Sequence, residues 1–152
     1  AFQDDEIMFF SCNGIRTDEN LNQESFLNPP QYYFDYSNPL DKFKEWFGVI
    51  NNEVTCANNG LLAPGTLYRK ILHDYIGPPS MNEFLGASDF EYWSRILFHQ
   101  HKGKYENSAL WLYRVSDLSV SSYEKSRGID HRAPYLTKIK EKYKKLWKEK
   151  EL

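Results

Sequence analysis

The stretch Pro134-Tyr135-Leu136-Thr137-Lys138-Ile139-Lys140-Glu141-Lys142-Tyr143-Lys144-Lys145-Leu146-Trp147 carries the clearest periodicity in the chain. Leu136, Ile139, Tyr143, Leu146 and Trp147 trace one stripe at helical spacing, with lysines at most of the other positions. Pro134 suits an opening turn, and no further proline or glycine interrupts the run. The pattern predicts a long amphipathic helix. Upstream, Asn38 is a good N-cap, Pro39 fits the first turn, and Leu40, Phe43, Phe47 and Ile50 recur at intervals of three and four, which predicts a helix through about Asn51. A second helix is expected from Pro64, with Leu67, Ile71, Leu72 and Tyr75 on one side and Gly77-Pro78-Pro79 as its stop. Ser88 or Asp89 caps a third, whose Phe90, Trp93 and Leu97 face inward, and Lys102-Gly103-Lys104 reads as a break.

Two regions resist this reading. Leu110, Tyr113, Val115, Leu118 and Val120, in the run from Ala109 to Ser122, fit neither the helical nor the strand period. The first forty residues show no sustained period and contain Asn28-Pro29-Pro30 followed by Tyr32-Tyr33-Phe34-Asp35-Tyr36. Consecutive prolines hold a backbone extended. The resulting expectation is a mainly α chain in three parts: an extended acidic and aromatic arm over 1–38, a helical body of 39–132, and a basic amphipathic helix over 133–152.

With 152 residues and 18.0 kDa the chain has room for one domain. Aromatics reach 16% and the formal charge is only -2, so the composition is that of an ordered chain. Mean hydropathy is -0.68 and no apolar run approaches the ~20 residues needed to cross a bilayer. The near-neutral total hides a dipole: residues 1–40 hold seven acids against one base, and residues 125–152 hold ten bases against four acids. Ala1–Glu6 lacks the basic and apolar regions of a secretory signal, which leaves either a trimmed initiator or a removed targeting segment. Cys12 and Cys56 are read as two reduced thiols. The alternative is a bridge worth roughly 3–4 kcal/mol in a secreted chain.

The residues that could carry chemistry are few. His99 and His101 share a face only on a strand, His73 and His131 are remote in sequence, and no cysteine sits near any of them, so no metal set is expected. No G-x-S-x-G or phosphate-cradling glycine pattern occurs, and no catalytic residue or cofactor is assigned. Lysines of the last helix are interrupted by Glu141, Glu149 and Glu151, which argues against a phosphate-binding surface. The same lysines around Leu136, Ile139 and Trp147 allow peripheral contact with lipid.

Leu40-Asp41-Lys42-Phe43-Lys44-Glu45-Trp46-Phe47, followed by Asn59-Gly60-Leu61-Leu62-Ala63-Pro64-Gly65-Thr66-Leu67-Tyr68, resembles the early part of the small helical subunit 7 (ubiquinol-binding protein) family of the mitochondrial cytochrome bc1 complex. Ala133-Pro134-Tyr135-Leu136 is similar to that family's Pro-Tyr-Leu entry into a charged final helix. The likeness lies mostly in residues 40–76 and 129–152. It departs where Pro64-Gly65 replace two acids, and the family's Arg-Leu-Pro and Leu-Pro-x-x-x-Trp segments have no clear counterpart. The resemblance implies a helical, non-catalytic, matrix-side subunit of the inner membrane, packed on cytochrome b and core subunits, without a redox centre.

An aromatic arm and a lone amphipathic helix, both marginal alone, point independently to a chain that completes its burial on neighbours. The expected function is therefore an accessory subunit of a respiratory-chain complex. Its expected contact residues are Tyr32, Tyr33, Phe34, Tyr36, Leu136, Ile139, Tyr143, Leu146 and Trp147. The alternatives are a secreted, disulfide-bridged binding domain or small enzyme, and a ribosome- or RNA-associated protein.

Overall fold

A computed structural model describes residues 4–26, 36–57, 65–116, 126–128, 130 and 132–150. It corrects the mainly α expectation: the chain is mixed α/β, built on a four-stranded sheet. The element order is β1 (Ile7–Thr17), β2 (Gln23–Phe26), α1 (Pro39–Phe47), β3 (Val49–Ile50), β4 (Glu53–Val54), β5 (Leu67–Tyr68), α2 (Leu72–Ile76), a 3-10 turn (Leu85–Ala87), α3 (Ser88–Phe98), β6 (Lys102–Arg114) and α4 (Ala133–Lys150).

β1 is the centre of the sheet. Its parallel partner β6 runs along it from the Ile7–Lys102 pair to the Thr17–Arg114 pair. Antiparallel β5 pairs with Phe9 and Phe10, and antiparallel β2 pairs with Ile15, Arg16 and Thr17. The beginning of the expected N-terminal arm is thus the innermost strand. It escapes a periodicity search because both its faces are covered: Phe9, Ser11, Cys12, Asn13, Gly14 and Thr17 are all buried. A strand buried on both sides need not alternate, and the buried polar residues Ser11, Asn13 and Thr17 also break up any apolar run.

β6 is illegible for a different reason. Its register against β1 shifts between Ile7 and Phe9 and again on either side of Asn13, so that Cys12 pairs with Glu106, Asn13 with Ala109 and Gly14 with Trp111. Each bulge inserts residues into one strand and resets the two-residue alternation. The glycine in Lys102-Gly103-Lys104, expected to be only a break, lies inside the opening of this strand. A Cβ at Gly103 would collide with the Phe9 ring, so the ring packs directly on bare backbone. Trp111 uses Gly14 and Gly65 in the same way and donates its indole N–H to the Cys12 carbonyl at 3.3 Å.

The helices occupy the crossover between β1 and β6 and the segment after it. α1 ends where expected from its pattern less one turn. Gly48, at φ +51, takes the left-handed C-terminal position, and its N–H returns to the Glu45 carbonyl. Asn51 and Asn52, at φ 48 and 64, then form the two-residue turn of the β3–β4 hairpin. The second helix is far shorter than expected: Leu67 and Tyr68 are strand, and only Leu72–Ile76 is α-helix. α3 and α4 match their patterns closely.

Burial is dominated by rings. Phe43 stacks on Phe47 at 4.5 Å and on Trp147 at 5.6 Å, and Tyr143 approaches both Phe43 and Phe47 at 5.0–5.3 Å. Phe90 and Phe98 of α3 close this cluster, which joins α1, α3 and α4. A second group, Phe9, Tyr36, Tyr68, Tyr92 and Trp93, fastens the sheet to α3. Gly103→Ala forces the Phe9 ring out of this second group. It should lower stability by about 1–3 kcal/mol, the usual cost of overpacking, measured as a fall in the urea midpoint at unchanged slope. An unchanged midpoint would show that the ring moves aside at no cost.

Candidate functional site

Among the residues proposed from sequence as partner contacts, Tyr32, Tyr33 and Phe34 lie outside the described residues. Tyr36 is fully buried, with its ring 5.3 Å from Phe9 and its carbonyl accepting the Gly103 N–H at 3.2 Å. Ile139, Tyr143 and Trp147 are buried in the helical aromatic cluster, and Leu136 and Leu146 are half-buried against it. The stripe on α4 therefore covers this chain's own core. Helical periodicity reports that a face is buried; it does not report by what.

α4 is held in place by a polar device that the sequence did not disclose. Glu91, in the middle of α3, has a side chain with 0% exposure. Arg95, one turn on, meets one carboxylate oxygen at 2.8 Å, and Lys142 of α4 meets the other at 2.6 Å. The Tyr143 hydroxyl donates to that second oxygen at 3.3 Å. Burial, and then the neighbouring Glu91 charge, raises the Tyr143 pKa well above its ordinary value, so this phenol stays protonated. Arg95 also donates to the carbonyls of Ile76 and Pro78, and lies over the Tyr92 ring. Lys138 and Lys142 flank the buried Phe84 ring, and Lys138 faces Glu83 at 3.6 Å. The signal that could have found this set was the Glu91/Arg95 spacing of four on a predicted helix. Its burial was not legible, because Glu91 sits beside Phe90 in a stretch where acids also supply ordinary exposed positions.

The histidines end α3 as expected. His99 is exposed at the helix terminus, and Gln100 follows at φ 61. Partial desolvation, and then the charges of Lys150, Arg95 and Lys142, lower the His99 pKa from 6.5; desolvation and then His99 do the same for His101, whose ring stacks on Tyr75. Tyr68 and the His73 Nε2 share a hydrogen bond at 3.2 Å. Among the described residues no group of three or more His, Cys, Asp or Glu side chains converges to hold a metal ion. Both cysteines are free thiols. Among the described residues no helix is long and apolar enough to cross a membrane.

The surface that stands out is the far half of β6. Leu110 is 61% exposed, Leu112 57% and Tyr113 37%, three large apolar side chains within four residues. Among the described strands only β1 pairs with β6, so its outer edge carries no described strand. Such an edge offers backbone N–H and C=O groups together with apolar side chains, the combination that accepts an added strand.

No protein-family profile, no curated protein sequence and no solved structure matches this chain.

Two outcomes test the polar set and the histidines. Glu91→Ala strands Arg95, Lys142 and the Tyr143 hydroxyl around an empty site and should cost about 3–5 kcal/mol, as removal of one partner of a buried pair does; urea unfolding measures it, and a loss below about 1 kcal/mol would mean the network contributes little. His99 and His101 take up protons more readily when unfolded than when folded. Their contribution stands in full above about 6.5 and is lost as the pH falls through the lowered folded values. The melting temperature should thus decline on acidification from pH 6.5, and the double substitution His99→Gln/His101→Gln should flatten that part of the profile.

Proposed function

We propose that this chain is a non-catalytic accessory subunit of a larger protein assembly, docking through the far half of β6. The observation that carries the reading is the exposure of Leu110, Leu112 and Tyr113 on a strand whose outer edge has no described partner. Each such side chain contributes on the order of 1.5–3 kcal/mol when fully covered. Added backbone hydrogen bonds along the edge supply register rather than much net energy. The contact face is therefore moved from the α4 stripe, which is occupied by the core, to the sheet.

A respiratory-chain setting, on the matrix side of the mitochondrial inner membrane, is the form of this proposal favoured by the short motifs at Leu40–Phe47 and Ala133–Leu136. The bc1 subunit family that those motifs resemble is helical, whereas this chain is organised on a sheet. Support for the setting is accordingly confined to α1 and α4. The accessory role itself does not depend on it.

The experiment is native electrophoresis of source material, blotted for this chain, with inner-membrane fractions run in parallel. The wild-type chain should migrate with a large assembly, and Leu110→Lys/Leu112→Lys should release it while leaving the melting temperature of the purified protein unchanged. A wild-type chain that migrates alone near 18 kDa would overturn the accessory role. Co-migration with an assembly absent from inner membranes would overturn only the respiratory setting.

A further inference from the structure

A cleft of about 250 Å³ opens where α1, the β3–β4 turn and the end of α4 meet, lined by Leu40, Lys44, Asn52, Trp147 and Lys150. This lies just below the usual range for small-molecule sites, about 300–1,000 Å³. Leu40 and an edge of the otherwise buried Trp147 supply the apolar part of the lining, Asn52 comes from a turn fixed in the left-handed region, and Lys44 and Lys150 complete it.

Among the described residues the two lysines of the cleft have little carboxylate pairing. Lys44 meets Asp41 at 3.5 Å, but both side chains are more than two-fifths exposed, so the pair is loose and contributes little. The Lys150 ammonium donates to the Phe98 carbonyl at 3.2 Å and lies 4.8 Å from the Phe98 ring centroid. Among the described residues no carboxylate pairs with it. Partial burial lowers its pKa, and its charge is one of the three that depress His99. Lys144 and Lys148 precede Lys150 on the same helix, also without a described ion pair. A partly desolvated cation beside an apolar wall attracts an anion more strongly than a fully hydrated one, because fewer waters compete with it.

We propose that this cleft binds a small organic anion: a carboxylate held between Lys44 and Lys150, with a flat apolar body against Leu40 and Trp147. The Asn52 amide serves as a further hydrogen-bond donor to the carboxylate. The site is separate from the β6 edge, so it stands or falls independently of the accessory role.

The test is a titration of the ¹⁵N-labelled full chain with sodium benzoate, with benzyl alcohol and inorganic phosphate as matched controls. The Trp147 indole N–H resonance, assigned by its absence from Trp147→Phe, should move saturably with benzoate. It should respond at least tenfold more weakly to either control. Lys44→Ala and Lys150→Ala should each weaken benzoate binding at least tenfold, with Lys44→Arg largely restoring it; unchanged amide spectra elsewhere confirm that each variant is folded. An absent or non-saturable benzoate response overturns the site. Equal binding of benzyl alcohol overturns the role of the charge, and equal binding of phosphate overturns the role of the apolar wall. Retained affinity in both alanine variants overturns the assignment to these lysines.

Discussion

The parallel ladder between β1 and β6 is the constraint on which the rest of this structure depends. It joins Ile7 to Lys102 and Thr17 to Arg114, so everything between the two strands must fit within one crossover. β2, α1, the β3–β4 hairpin, β5, α2, the 3-10 turn and α3 are the described elements of that crossover, and the packing of its helices accompanies the approach of the two ladder strands. Parallel strands cannot be joined by a tight turn. Here the intervening chain also supplies β5, which pairs with the opening of β1 at Phe9 and Phe10.

Aromatic side chains explain how so small a crossover fills its interior. Phe, Tyr and Trp each bury a large area and lose few rotamers when they do so, and their edge-on and stacked contacts add to the area term. The helical cluster around Phe43 and the sheet-facing cluster around Phe9 and Trp93 divide that work. Between α3 and α4, Glu91 supplies what rings cannot. Apolar packing tolerates sliding by a fraction of a turn, whereas a carboxylate held by Arg95, Lys142 and Tyr143 at once accepts one alignment of the two helices.

What can be read from sequence follows from whether an element's burial is one-sided. α4, α3 and α1 each cover the core with one stripe and expose the opposite side, and their patterns at Leu136–Trp147, Phe90–Leu97 and Leu40–Phe47 identify them. β1 is covered on both faces and β6 is interrupted by bulges, so neither shows the period of its own backbone, and the sequence reads as mainly α for that reason. The candidate site fares similarly. The spacing of Ile139, Tyr143 and Trp147 marks a burying face, but a stripe carries no information about whose surface covers it. Leu110 and Leu112 are visible as apolar residues in an ambiguous run, and only the sheet shows which of their neighbours pair and which edge is left.

The wide sequence separation of β1 and β6 also shapes how the polypeptide reaches this state. During synthesis β1 emerges from the ribosome first, yet the strand that completes its ladder follows about ninety residues later. At roughly 5–20 residues per second, that gap lasts several seconds or more. Over that interval Ile7, Met8, Phe9 and Phe10 form a greasy nascent segment with no mate on one side. Non-local pairing of this kind slows folding, and such a segment is one that a holdase chaperone would be expected to shelter until Arg114 has cleared the exit tunnel.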